Sequence, residues 1–577
     1  MSNAQSITAH PGPHRDSALK GRWQSINWAR SATLVGALAA LGVLVLAPML
    51  MLLYGSLRDA PPGLPGSFTL DNYAFLFSAD FGLLAARSFV IGGGSTLVAV
   101  AVGTLLAISL VRCPLPFASK LDALVLVPSY LTPIVSAIAW IVLLSPEAGI
   151  INVVLRMNGL PTLSIYGYGG IIWVMGLYYA PVAYLYLRPA LMAIDRSYEE
   201  SARVFGASAR TTLWRVVIPL ARPALLAGVL VIFVNAIGDF GIPGVLGARD
   251  RIEVIPTALV RLVVRFPSDP NTATVLGIAL AVVTVIGLSI TNAILAGRDY
   301  TTVGGRGGSV VRSSSRLAGM LGLAFVLLYL FVALVLPITA MAVMSFKAFP
   351  TPRIFSTPFT LDNYRFIFTF PSIQRSMINS ALLSVGAAAV AAVLATLLGY
   401  FSVKHKNPLT RLVDYIAMST IAVPHTVLGL GLIWFWVSLP AGVYGTRWIL
   451  LIAYIAAFFP YALRAAISAF MQVDNALEES GRVFGASWPR AMWRIVLPLI
   501  VPGLLSGATM VIYYSFRELT ASLMLYTAGS EVMATALWEM FSEGRFVQLF
   551  ALAMVNIVIV MTLVAFANML ARRSPTR

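Results

Sequence analysis

Glu199 to Gly228 reads EESARVFGASARTTLWRVVIPLARPALLAG, and Glu478 to Gly507 reads EESGRVFGASWPRAMWRIVLPLIVPGLLSG. Eighteen of the thirty positions are identical without a gap. Chance does not give that identity, so the chain contains two homologous halves. Glu199-Glu200 and Glu478-Glu479 suit the start of a helix, where the dipole favours negative charge. Gly206 and Gly485 follow the apolar pairs Val204-Phe205 and Val483-Phe484, and a glycine there allows a sharp turn between two short helices. Pro219 and Pro498 then mark the first turn of a long apolar helix.

Working outward, the 577 residues are 59% hydrophobic and 11% charged, with a mean hydropathy of +0.85. A water-soluble fold cannot bury that much apolar surface and keep a wettable exterior. Lipid serves as solvent instead, and runs of about 20 apolar residues cross it as helices. Such runs lie near 31–55, 87–111, 121–145, 169–193, 219–240 and 271–296, then near 317–345, 376–403, 412–438, 448–470, 498–520 and 546–570. The expected fold is an all-α polytopic membrane protein, with about twelve transmembrane helices in two parallel halves of six. The expected division is a tail at 1–30, a first half at 31–296, a Gly/Ser/Arg-rich linker at 297–316, a second half at 317–570 and a tail at 571–577. The repeated loops fall at about 196–218 and 474–497. A second repeat, Phe68-Thr-Leu-Asp-Asn-Tyr73 and Phe359-Thr-Leu-Asp-Asn-Tyr364, follows the first run of each half. The first run is long enough to span and reads as an uncleaved helix rather than a signal peptide.

More than half of the 40 Lys and Arg fall in the tails, the linker and the loops on the same side as the repeated segments. That bias places both termini, the linker and the repeats in the cytoplasm. Anionic lipid favours basic residues there, so the net charge of +17 implies a membrane surface and no nucleic-acid partner. The single cysteine, Cys113, excludes an intramolecular disulfide, and four scattered histidines suggest no zinc cluster.

A short helix that offers Val, Phe and Ala to the cytoplasm is an exposed apolar knob, and such patches mark partner surfaces. Two related copies imply two similar sockets. Glu200-Ser201-Ala202 with Gly206, and Glu479-Ser480-Gly481 with Gly485, each followed by an apolar-x-Leu/Ile-Pro step, resemble the EAA signature of permease subunits in binding-protein-dependent ABC importers. The resemblance covers both halves. It implies a bacterial inner-membrane protein, two ATP-binding subunits as partners, and an extracytoplasmic solute-binding protein. It also implies that Glu199, Glu200, Arg203, Val204, Phe205, Gly206 and Ala207 couple to one ATPase subunit, and Glu478, Glu479, Arg482, Val483, Phe484, Gly485 and Ala486 to the other. The five lysines are Lys20, Lys120, Lys347, Lys404 and Lys406, and none follows a glycine. A phosphate-binding loop needs Gly-Lys. The chain is therefore expected to be no enzyme and to bind no cofactor, with ATP and Mg on the partner subunits.

The repeat offset pairs Asp239 with Glu518. Each lies about 20 residues beyond its proline, roughly 30 Å along a helix, which suggests the outer mouth. Ionisable groups near a span are functional candidates. Two carboxylates suit a hard cation. The competing reading, favoured here, is that Arg517 and nearby arginines neutralise them and they pin a gate. His425 lies in an apolar run after Val423-Pro424, as a pathway residue or a packing one. Asp-Phe-Gly-(apolar)-Pro at 239–243 and Phe-Arg-Glu-Leu at 516–519 resemble the fused two-half iron(III) permeases. Related permeases carry thiamine, polyamines, phosphonates or sugar phosphates. A secondary transporter is the alternative class, with no need of a duplicated docking loop.

Overall fold

In a computed structural model, residues 34–296, 316–351, 357–404 and 408–573 are described. The N-terminal tail, most of the linker, His405, Lys406 and the last four residues lie outside them. The described residues are helical apart from loops and two isolated β-bridges. The chain is an all-α polytopic membrane protein. Among the described residues, ten helices are long and apolar enough to cross a membrane, and a bent pair makes up to eleven.

Each half repeats the same order. Leu34–Ser56 corresponds to Arg316–Ser345, Ala79–Arg112 to Pro371–Lys404, Gly167–Ala193 to Arg447–Met471, Ala209–Ile237 to Pro489–Phe516, and Pro270–Ala296 to Phe546–Arg573. The third run of each half departs from the straight spans expected at 121–145 and 412–438. In the first half it is Ala118–Tyr130 and Pro133–Leu144, bent by 93°. In the second it is Pro408–Ala422 and His425–Val437. Leu131-Thr132 and Val423-Pro424 form the breaks, because a residue before proline is pushed out of the helical region. The bent pair still connects opposite sides. It starts beyond Arg112, and Glu147, just past its end, pairs with Arg249, while the carbonyl of neighbouring Arg251 accepts from Arg87 near the other end of Ala79–Arg112.

Prolines also shape the straight spans. Single π-helical turns at Gly42–Leu46, Phe331–Val335, Leu213–Val217 and Met492–Val496 each stand just before Pro48, Pro337, Pro219 or Pro498. A proline lacks an N–H and crowds the carbonyl four residues back, so the helix widens locally. The fifth span of each half begins well before its expected start at 219 or 498.

The first spans cross between halves. Leu34–Ser56 packs on His425–Val437 of the other half, and Arg316–Ser345 packs on Pro133–Leu144. The crossing is close: a Cβ at Gly55 would run into the Trp434 indole, and one at Gly431 would meet the Pro48 carbonyl. The Phe68 and Phe359 repeats close the ends of these spans. Asn72 donates to the Ser56 and Arg58 carbonyls at 2.9 and 2.7 Å, and Asn363 to the Ser345 and Lys347 carbonyls at the same distances. The Ser56 and Ser345 carbonyls are the last of their helices and have no partner inside them, and those of Arg58 and Lys347 lie just beyond the helix ends. Tyr73 and Tyr364 each meet the adjoining serine hydroxyl at 2.8 Å.

Candidate functional site: the repeat helices and the central cavity

The repeated segments fold as two nine-residue helices, Arg196–Val204 and Asn475–Val483. Asp195 and Asp474 begin them by accepting from the Ser197 and Ala476 amides at 2.8 and 3.0 Å. Gly206 and Gly485 end them at φ +79° and +84°. The Ala207 amide reaches back to the Ala202 carbonyl and the Ala486 amide to the Gly481 carbonyl, at 2.9 and 3.0 Å. This is a Schellman stop, which needs a left-handed residue at the glycine. The stop leaves Val204 and Phe205 84% and 90% exposed, and Val483 and Phe484 84% and 91%.

The paired glutamates do more than favour a dipole. Glu199 is buried and forms an ion pair with Arg112, the last residue of Ala79–Arg112. Arg112 also donates to the Leu191 carbonyl at 2.9 Å. In the second half, Tyr400 donates to Glu478 at 2.9 Å and Lys404 donates to the Val473 carbonyl at 3.1 Å. Each repeat helix is thus tied to the second span of its own half. Glu200, Arg203 and Glu479 face outward, while Ala207 and Ala486 are half-buried. The Arg482 side chain lies outside the described residues.

The residues singled out for the pathway come together. A cavity of about 450 Å³ between the halves is lined by Asp239, His425, Arg517 and Glu518, with Tyr178, Tyr179 and Tyr186 on one side and Phe458, Tyr461 and Tyr514 on the other. The expected position at the outer mouth is corrected by Tyr179, whose hydroxyl donates to Asp239 at 3.0 Å. Tyr179 is the thirteenth residue of the 27-residue Gly167–Ala193 helix, so the cavity lies at mid-depth. The long run to Asp239 and Glu518 misled because spans five and eleven start deep on the repeat-helix side.

Both carboxylates are buried at helix breaks. Asp239 accepts from the Gly241 amide at 2.7 Å, capping Gly241–Leu246. Glu518 accepts from the Ala521 and Ser522 amides at 3.0 and 2.9 Å, capping Thr520–Leu525. Such a start has unpaired N–H groups that favour an anion. His425 stands 3.4 Å from Glu518 and edge-on to Phe458.

Arg517 does not neutralise either carboxylate by an ion pair. It donates to the Ser129 carbonyl at 2.7 Å and lies over the Tyr178 and Tyr513 rings, 5.7 and 5.2 Å from their centroids. Ser129 is in the last turn before the break at Leu131, where carbonyls are free and a cation is favoured. Among the described residues, no group of three or more His, Cys, Asp or Glu side chains is placed to hold a metal ion.

Residues 31–298 and 391–574 match the family described as the binding-protein-dependent transport system inner membrane component. The chain belongs to this family. It is 26% identical to the ferric transport system permease protein FbpB of Actinobacillus pleuropneumoniae over 413 residues, covering 70% of this chain and 58% of that protein. The chain therefore spans less than two thirds of that relative's length. It is 23% identical to the Fe(3+)-transport system permease protein FbpB 2 of Haemophilus influenzae, covering 86% of this chain and 90% of that one. A solved bacterial ABC transporter involved in import of the acidic polysaccharide alginate aligns with 48% of this chain and 99% of its own, at 22% identity and a TM-score of 0.41.

Proposed function

We propose that this chain is the membrane permease of an ATP-driven importer of iron(III), with its repeat helices in the cytoplasm. The observation that carries the coupling role is the pair of nine-residue helices ending in bare Val-Phe tips, one per half. Burying one phenylalanine side chain on a partner stabilises the contact by roughly 2–3 kcal/mol, so each tip is a strong anchor for an ATP-binding subunit. ATP and Mg belong to those subunits, and this chain supplies no catalytic residue. An extracytoplasmic binding protein delivers the substrate to the opposite side.

The iron reading rests on the names of the relatives and on the oxygen-rich cavity. Asp239, Glu518 and the tyrosine hydroxyls are the donor type that a hard trivalent cation prefers. The cavity is the pathway at mid-depth, and Arg517 holds its two walls in register.

The test is reconstitution of the chain in proteoliposomes with its ATP-binding subunits and binding protein, and measurement of radioactive iron uptake. ATP-dependent iron uptake is expected. Uptake of thiamine, a polyamine, a phosphonate or a sugar phosphate in its place overturns the substrate. Uptake driven by an ion gradient without ATP overturns the class.

A further inference from the structure

A second cavity, of about 420 Å³, opens beside the first repeat helix. Three elements converge there: the end of Ala79–Arg112, the start of Ala209–Ile237 and the start of Arg316–Ser345 from the other half. Its lining is sorted by depth. Arg112, Arg203 and Arg210 stand at the level where these helices begin or end. Leu105 lies seven residues from Arg112, about 10 Å into the membrane, and Leu321 lies five residues from Arg316, about 7 Å in. Ile108 and Phe325 extend the same apolar floor.

The charges do not cancel. Glu199 answers Arg112, while no carboxylate among the described residues pairs with Arg203 or Arg210. Arg112 is itself 93% buried, and its Nε has no hydrogen-bond partner. A buried donor without an acceptor is costly. The cavity therefore offers cations at the membrane surface and hydrocarbon contact just beneath them.

We propose that this cavity holds an anionic phospholipid, its phosphate among Arg112, Arg203 and Arg210 and its upper acyl chains along Leu105, Leu321 and Phe325. A free phosphate would use the cations and leave the floor bare, so the layering favours the amphiphile. Arg203 belongs to the repeat helix and Leu321 to the opposite half. The lipid thus fills the seam between a repeat helix and the other half's first span.

The test is native mass spectrometry of the full chain in detergent, titrated with phosphatidylglycerol, phosphatidylcholine or inorganic phosphate. Phosphatidylglycerol is expected to bind in preference to phosphatidylcholine and to resist displacement by phosphate. Each surface cation contributes about fivefold to anionic-lipid binding, so R203Q/R210Q together are expected to weaken it roughly 25-fold. R203K/R210K is expected to restore binding, and Leu321→Ser to weaken it without changing the oligomeric profile. Unchanged binding in R203Q/R210Q, equal retention of phosphatidylcholine, or displacement by phosphate would each overturn the proposal.

Discussion

Arg517 and Ser129 join the two halves across the central cavity: the guanidinium of one half donates to a main-chain carbonyl of the other at 2.7 Å. Tyr513 donates to the same carbonyl at 3.0 Å. The acceptor belongs to a broken helix end and has no helical partner of its own. A hydrogen bond from a charged group in such a place contributes about 1.5–3 kcal/mol. Arg517→Gln is expected to lower the detergent melting temperature and to slow uptake, because the cavity walls lose their register. Arg517→Lys is expected to recover less than half of the effect, since an ammonium cannot match the planar fork. An unchanged melting temperature in Arg517→Gln would remove the bridging role.

Asp239 and Glu518 can be neutralised while most of their backbone hydrogen bonds are kept. Asparagine keeps a carbonyl oxygen for the Gly241 amide, whereas glutamine keeps one for only one of the Ala521 and Ser522 amides, which Glu518 meets with separate oxygens. Asp239→Asn with Glu518→Gln is therefore expected to lower the melting temperature modestly, through one lost backbone bond at 518, while cutting iron uptake at least tenfold. Asp239→Ala is expected to cost about 1 kcal/mol of stability as well. Uptake that survives the double neutralisation would argue against carboxylates as steps on the cation's path.

Gly206 and Gly485 have open space where a Cβ would stand, so their substitution causes no collision. Their cost is conformational, because both occupy the left-handed region. A β-branched residue there is strained by about 1–3 kcal/mol. Gly206→Val with Gly485→Val is expected to leave membrane insertion intact and to abolish co-purification with the ATP-binding subunits. Normal ATP-driven uptake in the double variant would separate the repeat helices from coupling.

The two repeat helices are anchored by different chemistry. Glu199 meets a buried arginine, whereas Glu478 meets a tyrosine hydroxyl. Removing one partner of a buried ion pair costs about 3–5 kcal/mol, while losing a single hydrogen bond costs roughly 1 kcal/mol. Glu199→Ala is thus expected to destabilise the protein more than Glu478→Ala, read as melting temperature and as protease sensitivity near each helix. Equal effects would show that the anchors are equivalent.

Glu147 and Arg249 form an exposed two-pronged pair, with Arg249 holding the Glu147 carboxyl well below its usual range, to about 2. A depressed carboxylate contributes stability above its unfolded value, near 4.5, and loses it as pH falls toward 2. Glu147→Gln is expected to lower the melting temperature slightly at neutral pH and to leave it unchanged near pH 2, so that this acid-sensitive part of the melting curve flattens. A melting curve of unaltered pH dependence would show that the loop does not depend on the pair.

Much of the molecule was legible because its two copies could be read against each other. The shared Val-Phe-Gly step located both helix stops, and the Phe-Thr-Leu-Asp-Asn-Tyr repeat marked two equivalent positions, although nothing in it showed that its asparagines close the ends of the first spans. The bend at Leu131-Thr132 was less visible. An apolar run in lipid looks the same straight or broken, and only the prolines at 133 and 424 hint at it. Arg112 and Glu199 are 87 residues apart, and no local pattern links them. The depth of Asp239 was misjudged because a helix that begins outside the membrane uses part of its length before reaching it.

The exchange of first spans makes each half an incomplete object. Leu34–Ser56 covers a face that belongs to residues 425–437, and Arg316–Ser345 covers residues 133–144. A polypeptide severed within 297–315 still has every surface it needs, provided both fragments are made together. Either fragment made alone lacks a wall supplied by its sibling. The fusion therefore acts as a stoichiometric guarantee: it delivers the two interlocked pieces one to one and at high mutual concentration, whatever the level of synthesis.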